Sequence, residues 1–361
     1  MSSLTGITRP LVLGIETSCD ETAAAVVGHT SQVLSNVVAS QHELHQEFGG
    51  VVPEIASRAH LERGLPVIRR AISDAGIALS DLDAVAVGHR PGLIGSLLVG
   101  TSLGKAFAWS LGIPLIGVDH VHAHMVAGML DATEPEWPAV GLVVSGGHTS
   151  LYALDSPLQR RRLGHTIDDA VGEAFDKVGA ILGLPHPGGP EVDRIATHGD
   201  PTTIDFPVAQ LGRESMNFSF SGLKTSVLYA AKGPPAQARK GRMKPLPEVP
   251  VLDEQRRSNI AASFQRAAIT AIMKNLRKAI DVVKPKSILV GGGVSANSAL
   301  RSTLIEEANS RNIDLRLPSA DFCLDNAAMI AATGAIRYAA GQRDDWTLAP
   351  AATSSTSDSE H

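Results

Sequence analysis

Cysteine is scarce in this chain: 361 residues carry two, Cys19 and Cys323. So few exclude a CxxC metal pair and a disulfide framework, and fit a reducing cytosol. An excess of basic charge is missing as well. The formal net charge of −5 excludes a globally basic nucleic-acid binder and leaves room only for a local basic patch. The opening, MSSLTGITRPLVLGI, has no basic segment ahead of a long apolar one, so no signal peptide is expected. Uninterrupted apolar runs of membrane length are lacking too. The longest candidate, IGSLLVGTSLGKAFAWSLGIPLIGV, is broken by Lys105 and Pro114 and reads as a buried helix followed by a strand. What remains is a soluble globular composition, long enough for roughly two domains with a large core.

One pattern occurs twice. LVLGIE, the polar turn TSCDET and AAAVV read as a strand, a turn and a second strand, followed later by AVAVGHRPGLIGSLLVG, a strand, a Gly/Pro turn and a helix. VGLVVSGGHTSLYAL repeats the hairpin, and SILVGGGVSANSAL repeats the strand, glycine turn and helix. This predicts an α/β chain of two similar lobes. Lobe I is expected over 1–118, with a C-terminal helix at about 326–345 returning to it, and lobe II over 119–325. Lobe II carries a basic Pro-rich loop at 232–250, and 346–361 reads as a disordered tail. From Ser258, apolar residues recur every fourth position through Ile280, which predicts a scaffold helix with Lys274, Arg277 and Lys278 suiting its C-terminal dipole.

Two turns have the chemistry of phosphate sites. In SGGHTS, Gly146 and Gly147 let backbone N–H groups approach an anion with no side chain in the way, although a tight hairpin turn would look the same. GGGVSAN follows a strand and opens a helix, whose N-terminus attracts phosphate. Read literally, Gly291, Gly293 and Ala296 also satisfy GxGxxA, with Asp314 at the distance of a ribose-binding acid. A nicotinamide-dinucleotide dehydrogenase is therefore a rival reading, weakened by the late position of the motif and by the paired hairpins. The acidic turn offers Asp20 and Glu21 to hold a cation against phosphate or to take a proton. Downstream, Asp169, Glu173 and Asp176 share a helical face ahead of the glycine-rich loop PHPGGPEVDR, which carries Asp193.

In VDHVHAHMVAG, His120, His122 and His124 occupy alternate positions, three of the 13 histidines in the chain. His120 and His124 share a face in a helix and in a strand, whereas His122 joins them only in a strand. Spacing alone suits a metal pair and an ordinary polar pair equally. Asp325, at the start of the apolar helix in FCLDNAAMIAATGAIRY, is a candidate third ligand, although aspartate there is also a favoured N-cap. Two imidazoles and one carboxylate would leave open positions for substrate. A metal-dependent glycoprotein endopeptidase would need HExxH, and Val121 stands where that glutamate belongs.

Taken together, LGIETSCDET, HVHAH, VVSGGHTS, IDDAVGEAFDKVGAILGLPHPGGP, FSFSGLKTS, GGGVSAN and FCLDNAAMIA resemble one family over nearly the whole chain up to about residue 340. It is the family of the bacterial tRNA threonylcarbamoyladenosine synthase subunit, related to the KEOPS catalytic subunit of archaea and eukaryotes. The resemblance implies the two-lobed actin-like ATPase fold with a duplicated ribonuclease-H-like mixed sheet and a cleft between lobes. It implies transfer of L-threonylcarbamoyl from threonylcarbamoyl-AMP to the N6 amine of the adenosine next to the anticodon, in tRNAs reading codons that begin with A, with release of AMP. The family's metal positions fall on His120, His124 and Asp325, with iron usual and zinc an alternative. Its substrate positions fall on Val143, Val144, Ser145, Gly146, Gly147, Asp176, Gly189, Asp193 and Asn297. Asp20 and Glu21 are candidates for ordering the site or accepting the amine proton. Implied partners are tRNA, a same-fold subunit and a small P-loop ATPase, in the cytoplasm and away from any membrane. Arg90, in the turn HRPGL, replaces a small residue of the family pattern and argues against a close backbone approach there.

Overall fold

A computed structural model of the chain describes residues 8–48, 50–233 and 252–354. Apart from Lys232 and Gly233, the basic loop expected at 232–250 lies outside the described residues, as does 355–361 of the tail. The apolar runs become strands β1 (Leu11–Glu16), β2 (Glu21–Gly28), β3 (Gln32–Ser40), β4 (Ala84–Arg90), β5 (Leu115–Asp119), β6 (Ala139–Val144), β7 (Thr149–Leu154), β8 (Arg160–His165), β9 (Ser287–Gly291) and β10 (Asp314–Arg316). The helices are α1 (His42–His45), α2 (Pro53–Asp74), α3 (Ile94–Leu111), α4 (His120–Ala127), α5 (Val171–Ile181), α6 (Gly188–Ala196), α7 (Ser221–Lys232), α8 (Glu254–Val283), α9 (Ser298–Arg311), α10 (Ala320–Cys323) and α11 (Ala327–Ala339).

The strands form two five-stranded sheets, ordered β3-β2-β1-β4-β5 and β10-β9-β6-β7-β8. Read from its other edge, the second repeats the first. In each, a three-stranded antiparallel meander meets two parallel strands, β1–β4–β5 in one and β6–β9–β10 in the other. This is the duplicated, ribonuclease-H-like mixed sheet of a two-lobed actin-like fold. Two helices lie where the sheets face each other: α11 packs on β1, β2 and β4, and α4 packs on α11, β9 and β6. One apolar cluster runs through them, from Val12, Ala86 and Ile116 by way of Ala123, Met125, Ala328 and Ile330 to Val143 and Leu289. Small side chains on α11 let both sheets approach this pair closely.

Three expectations are corrected. Helix α8 is capped by Asp253, whose side chain accepts from the Arg256 N–H at 2.8 Å, and runs on to Val283. Lys274, Arg277 and Lys278 therefore stop short of its last turn, and tertiary pairing replaces the dipole role. Arg277 Nε meets Glu307 at 2.7 Å, and Lys278 Nζ donates to the Ser215 carbonyl at 2.8 Å. Helix α3 is buried on one side only, with Ile94, Leu98 and Trp109 exposed. The tail is not disordered from 346. Lys105 Nζ donates to the Trp346 carbonyl at 2.8 Å, and the Ala351 N–H donates to the His89 carbonyl at 2.9 Å. Leu348 also packs against the apolar core of the first lobe, so a side chain and backbone hydrogen bonds together hold the segment. No described helix is long and apolar enough to cross a membrane.

Candidate metal centre and ligand cleft

Helix α4 follows β5 with no loop because Asp119 ends the strand and caps the helix, its Oδ1 accepting from the His122 N–H at 3.1 Å. A helix beginning at His120 separates the three histidines. His120 and His124 share a face, and His122 turns away. His122 Nε2 donates to the Pro157 carbonyl at 2.8 Å, and its Nδ1 faces the Arg160 guanidinium at 3.1 Å. Burial, reinforced by Arg160, pushes its pKa down to about 3 and keeps the ring neutral. His122 thus ties α4 to the connection before β8.

On the opposite face, His120 Nε2 lies 3.4 Å and His124 Nε2 3.2 Å from Asp325 Oδ1. The two rings meet edge-on, with centroids 4.6 Å apart. One ligand atom from each of the three side chains lies within 4.8 Å of the other two. Asp325 is free for this because Asn326, not Asp325, caps α11, accepting from the Met329 N–H at 3.0 Å. His120 is oriented from behind. Its Nδ1 lies 3.1 Å from Glu16 Oε2 and 3.2 Å from Ser18 Oγ, which turns Nε2 toward Asp325. Burial opposes a charge on His120, but Asp325 and Glu16 outweigh it and hold its pKa well above the ordinary value. Burial likewise opposes the Asp325 carboxylate, and the two imidazoles outweigh it, keeping Asp325 ionised. His124, pushed down by burial, stays neutral.

These residues fit a divalent cation. Both nitrogens of the fully buried His124 lack a hydrogen-bond partner, an arrangement that is costly unless something binds there. Two imidazoles and a carboxylate form the facial donor set that leaves coordination positions open. Sequence reading missed Glu16, which makes a carboxylate–histidine pair behind the centre. Its signal was a lone acid ending an otherwise apolar, fully buried strand. Both of its oxygens are used, Oε1 by the Ser18 N–H and Oε2 by His120. Glu16→Gln keeps the shape but sets an amide NH2 against one of those two donors. It is expected to weaken metal binding by about 10- to 100-fold, read by chelator competition on the purified variant.

The centre opens into a cleft of about 850 Å³ whose wall includes His120 and Asp325. Asp20 and Glu21 line it from the first lobe, and Ser145, Gly146, Gly147 and Asp176 from the second. Gly146 and Gly147 are exposed, and a Cβ on either would meet nothing within 4 Å. Burial pushes the Glu21 carboxyl up to about 9, with Asp325 and Asp20 close by, so it carries a proton at neutral pH. His42 and His186 stack across the rim with ring centroids 5.4 Å apart. Arg90 does not prevent the close approach in the first lobe. Its side chain is drawn to Asp119, with Nε 3.5 Å from Oδ2, while Gly92 sits where a Cβ would come within 2.5 Å of the Ser18 carbonyl oxygen.

The other expected positions stand behind this wall. Val143 and Val144 are buried in β6, below the glycine turn. The Gly189 N–H donates to Asp176 Oδ1 at 3.0 Å. Asp193 accepts from both the N–H and the hydroxyl of Ser298 at 2.9 Å. Asn297 caps α9 through the Leu300 N–H at 2.9 Å and donates to Gln265 at 2.9 Å.

The family model described as "TsaD: tRNA N6-adenosine threonylcarbamoyltransferase" matches residues 32–332. A protein of that name from Symbiobacterium thermophilum is 48% identical over 344 residues, 95% of this chain and 96% of its own length. Another, from Trichlorobacter lovleyi, is 46% identical over 343 residues, again 95% and 96% of the two chains. Among solved structures, HypF from T. kodakarensis superposes with a TM-score of 0.59 at 15% identity, covering 93% of this chain and 48% of its own. Component A of the Acidaminococcus fermentans (R)-2-hydroxyglutaryl-CoA dehydratase does so with a TM-score of 0.50 at 10% identity, over 92% and 100% of the two chains. The structural likenesses speak to fold alone; the sequence matches span nearly the whole length, and with them this chain belongs to the tRNA N6-adenosine threonylcarbamoyltransferase family.

Proposed function

We propose that this chain transfers L-threonylcarbamoyl from threonylcarbamoyl-AMP to the N6 amine of the adenosine next to the anticodon, in tRNAs reading codons that begin with A, releasing AMP. The observation that carries this is the set of His120, His124 and Asp325 at the wall of a cleft of about 850 Å³, within the size range of small-molecule and cofactor sites. A divalent cation there, iron or alternatively zinc, would supply Lewis-acid polarisation of the carbamoyl carbonyl or order phosphate oxygens. The chain's own groups do the rest. The Gly146–Gly147 turn, set on β6 through Val143, Val144 and Ser145, offers backbone N–H groups to the adenylate phosphate. Asp176 contacts the donor from the cleft wall. Gly189, Asp193 and Asn297 hold the α6 and α9 ends in place around it. Glu21, protonated, offers a hydrogen bond to a donor oxygen, and Asp20 orders the turn that presents it.

The rival readings are disfavoured. Val121 stands where a peptidase glutamate would be. Asp314, the ribose-binding acid of a dehydrogenase, lies 2.7 Å from Arg316 Nε and 3.4 Å from the Ser287 hydroxyl.

Partners follow from the reading: tRNA, a same-fold subunit and a P-loop ATPase, in the cytoplasm. A same-fold subunit would present an equivalent helix pair to α2 and α3, where Leu61, Leu65, Ile94 and Leu98 are exposed on neighbouring helices. Changing Leu61 and Leu65 together to Asp is expected to weaken that association by about 100-fold or more, measured by calorimetry against the purified partner. The deciding experiment combines this chain with its partner subunits, threonylcarbamoyl-AMP and unmodified tRNA, followed by nucleoside analysis. Metal-loaded chain that yields no threonylcarbamoyladenosine would overturn the reading.

A further inference from the structure

Acylation of an aromatic amine releases a proton, and the cleft must hold a group to take it. Most candidates are already committed. Asp20 is crowded by the Cys19 thiol and the Glu21 carboxyl, and burial, with Asp325 and Asp20 close by, raises the Glu21 pKa to about 9. Lys177 is a cation held by Asp169 at 2.9 Å and Glu173 at 2.8 Å. His120 is bound to Glu16.

His148 is different. Its backbone closes the glycine turn, the Ser145 N–H donating to its carbonyl at 2.8 Å and its own N–H to Ser145 Oγ at 3.1 Å. That anchors the main chain and leaves the imidazole out. The ring has no hydrogen-bond partner among the described residues, yet His148 lines the cleft beside His120 and Asp325. A polar side chain on a fixed turn, aimed at the reaction space and tied to nothing, is placed for contact with substrate.

We propose that His148 is the proton acceptor of the transfer, a role that rests on the reaction proposed above. The N6 lone pair forms the C–N bond to the carbamoyl carbon. The bond from that carbon to the phosphate oxygen breaks, and its electron pair leaves with AMP. The proton lost by the amine passes to the free ring nitrogen of His148 and from there to water. Burial, with His120 and His124 nearby, pushes the imidazole down to about 4, so it is neutral throughout the physiological range. A weak base suffices, because an amine nitrogen that has just attacked is strongly acidic.

The test is single-turnover transfer by the complete complex with tRNA and threonylcarbamoyl-AMP, using His148→Ala and His148→Gln. Both are expected to slow the chemical step by about 100-fold or more, with bound metal and the KM for the donor unchanged. Added imidazole is expected to restore His148→Ala, where the space is vacated, and not His148→Gln, where it is filled. A rate within about threefold of wild type, a loss accompanied by loss of metal or donor affinity, or a loss that imidazole does not repair would each overturn the role. Wild-type transfer in the same assay tests the underlying reaction separately.

Discussion

Asp325→Ala and His120→Ala are each expected to lower transfer by about 1000-fold or more, the scale of several kcal/mol of charge stabilisation, while the chain stays folded. Asp325 can be removed without unravelling α11, because Asn326 caps that helix. Among the described residues its carboxylate faces the two imidazoles, 3.4 and 3.2 Å away, so its loss falls on the centre. His120 sits at the first position of α4 and lines the cleft wall, while its helix is held by the apolar side chains of Val121, Ala123 and Met125. Metal content by mass spectrometry and melting by circular dichroism separate the two effects. If both purified variants carried out wild-type transfer with no metal bound, the cation would have no place in the chemistry.

Gly291→Ala is expected to be the most damaging single methyl in the molecule. A Cβ at Gly291 would stand 1.9 Å from the His124 carbonyl oxygen and 2.5 Å from its carbon. Both atoms are helix backbone, so no rotamer change relieves the clash, and α4 must move away from β9. The expected cost is about 3 kcal/mol, lowering Tm by roughly 5 °C. Moving α4 also carries His124 away from Asp325, so metal affinity should fall in the same variant. Gly146→Ala is the control, since its Cβ would enter open space and Tm should stay near that of wild type.

Sequence periodicity disclosed the architecture: two hairpins and two strand–turn–helix units became two sheets of matching order. Pairing within a hairpin and apolar alternation are local properties, and they survive in the sequence. The candidate centre was only half legible. A spacing of four made His120 and His124 co-facial in any regular element, but the place of His122 depended on where α4 begins. That is set by the Asp119 cap, which looks like many other aspartates. Asp325 and Asn326 are equally good caps in sequence, and only tertiary packing chose between them. GGGVSAN looked like a phosphate turn, whereas Gly291 answers to a helix arriving from residues far upstream. Glu16 was overlooked because the group it serves lies 104 positions away.

The placement of α4 and α11 has a mechanical consequence. Two of the candidate ligands are rooted in one of these helices and the third at the threshold of the other, and both helices are cemented into a single oily seam running from sheet to sheet. Parting the ligands would mean tearing that seam. A ligand too large for the crevice is accommodated more cheaply at its margins, where the His42 and His186 rings stack, than at a floor tied into that seam.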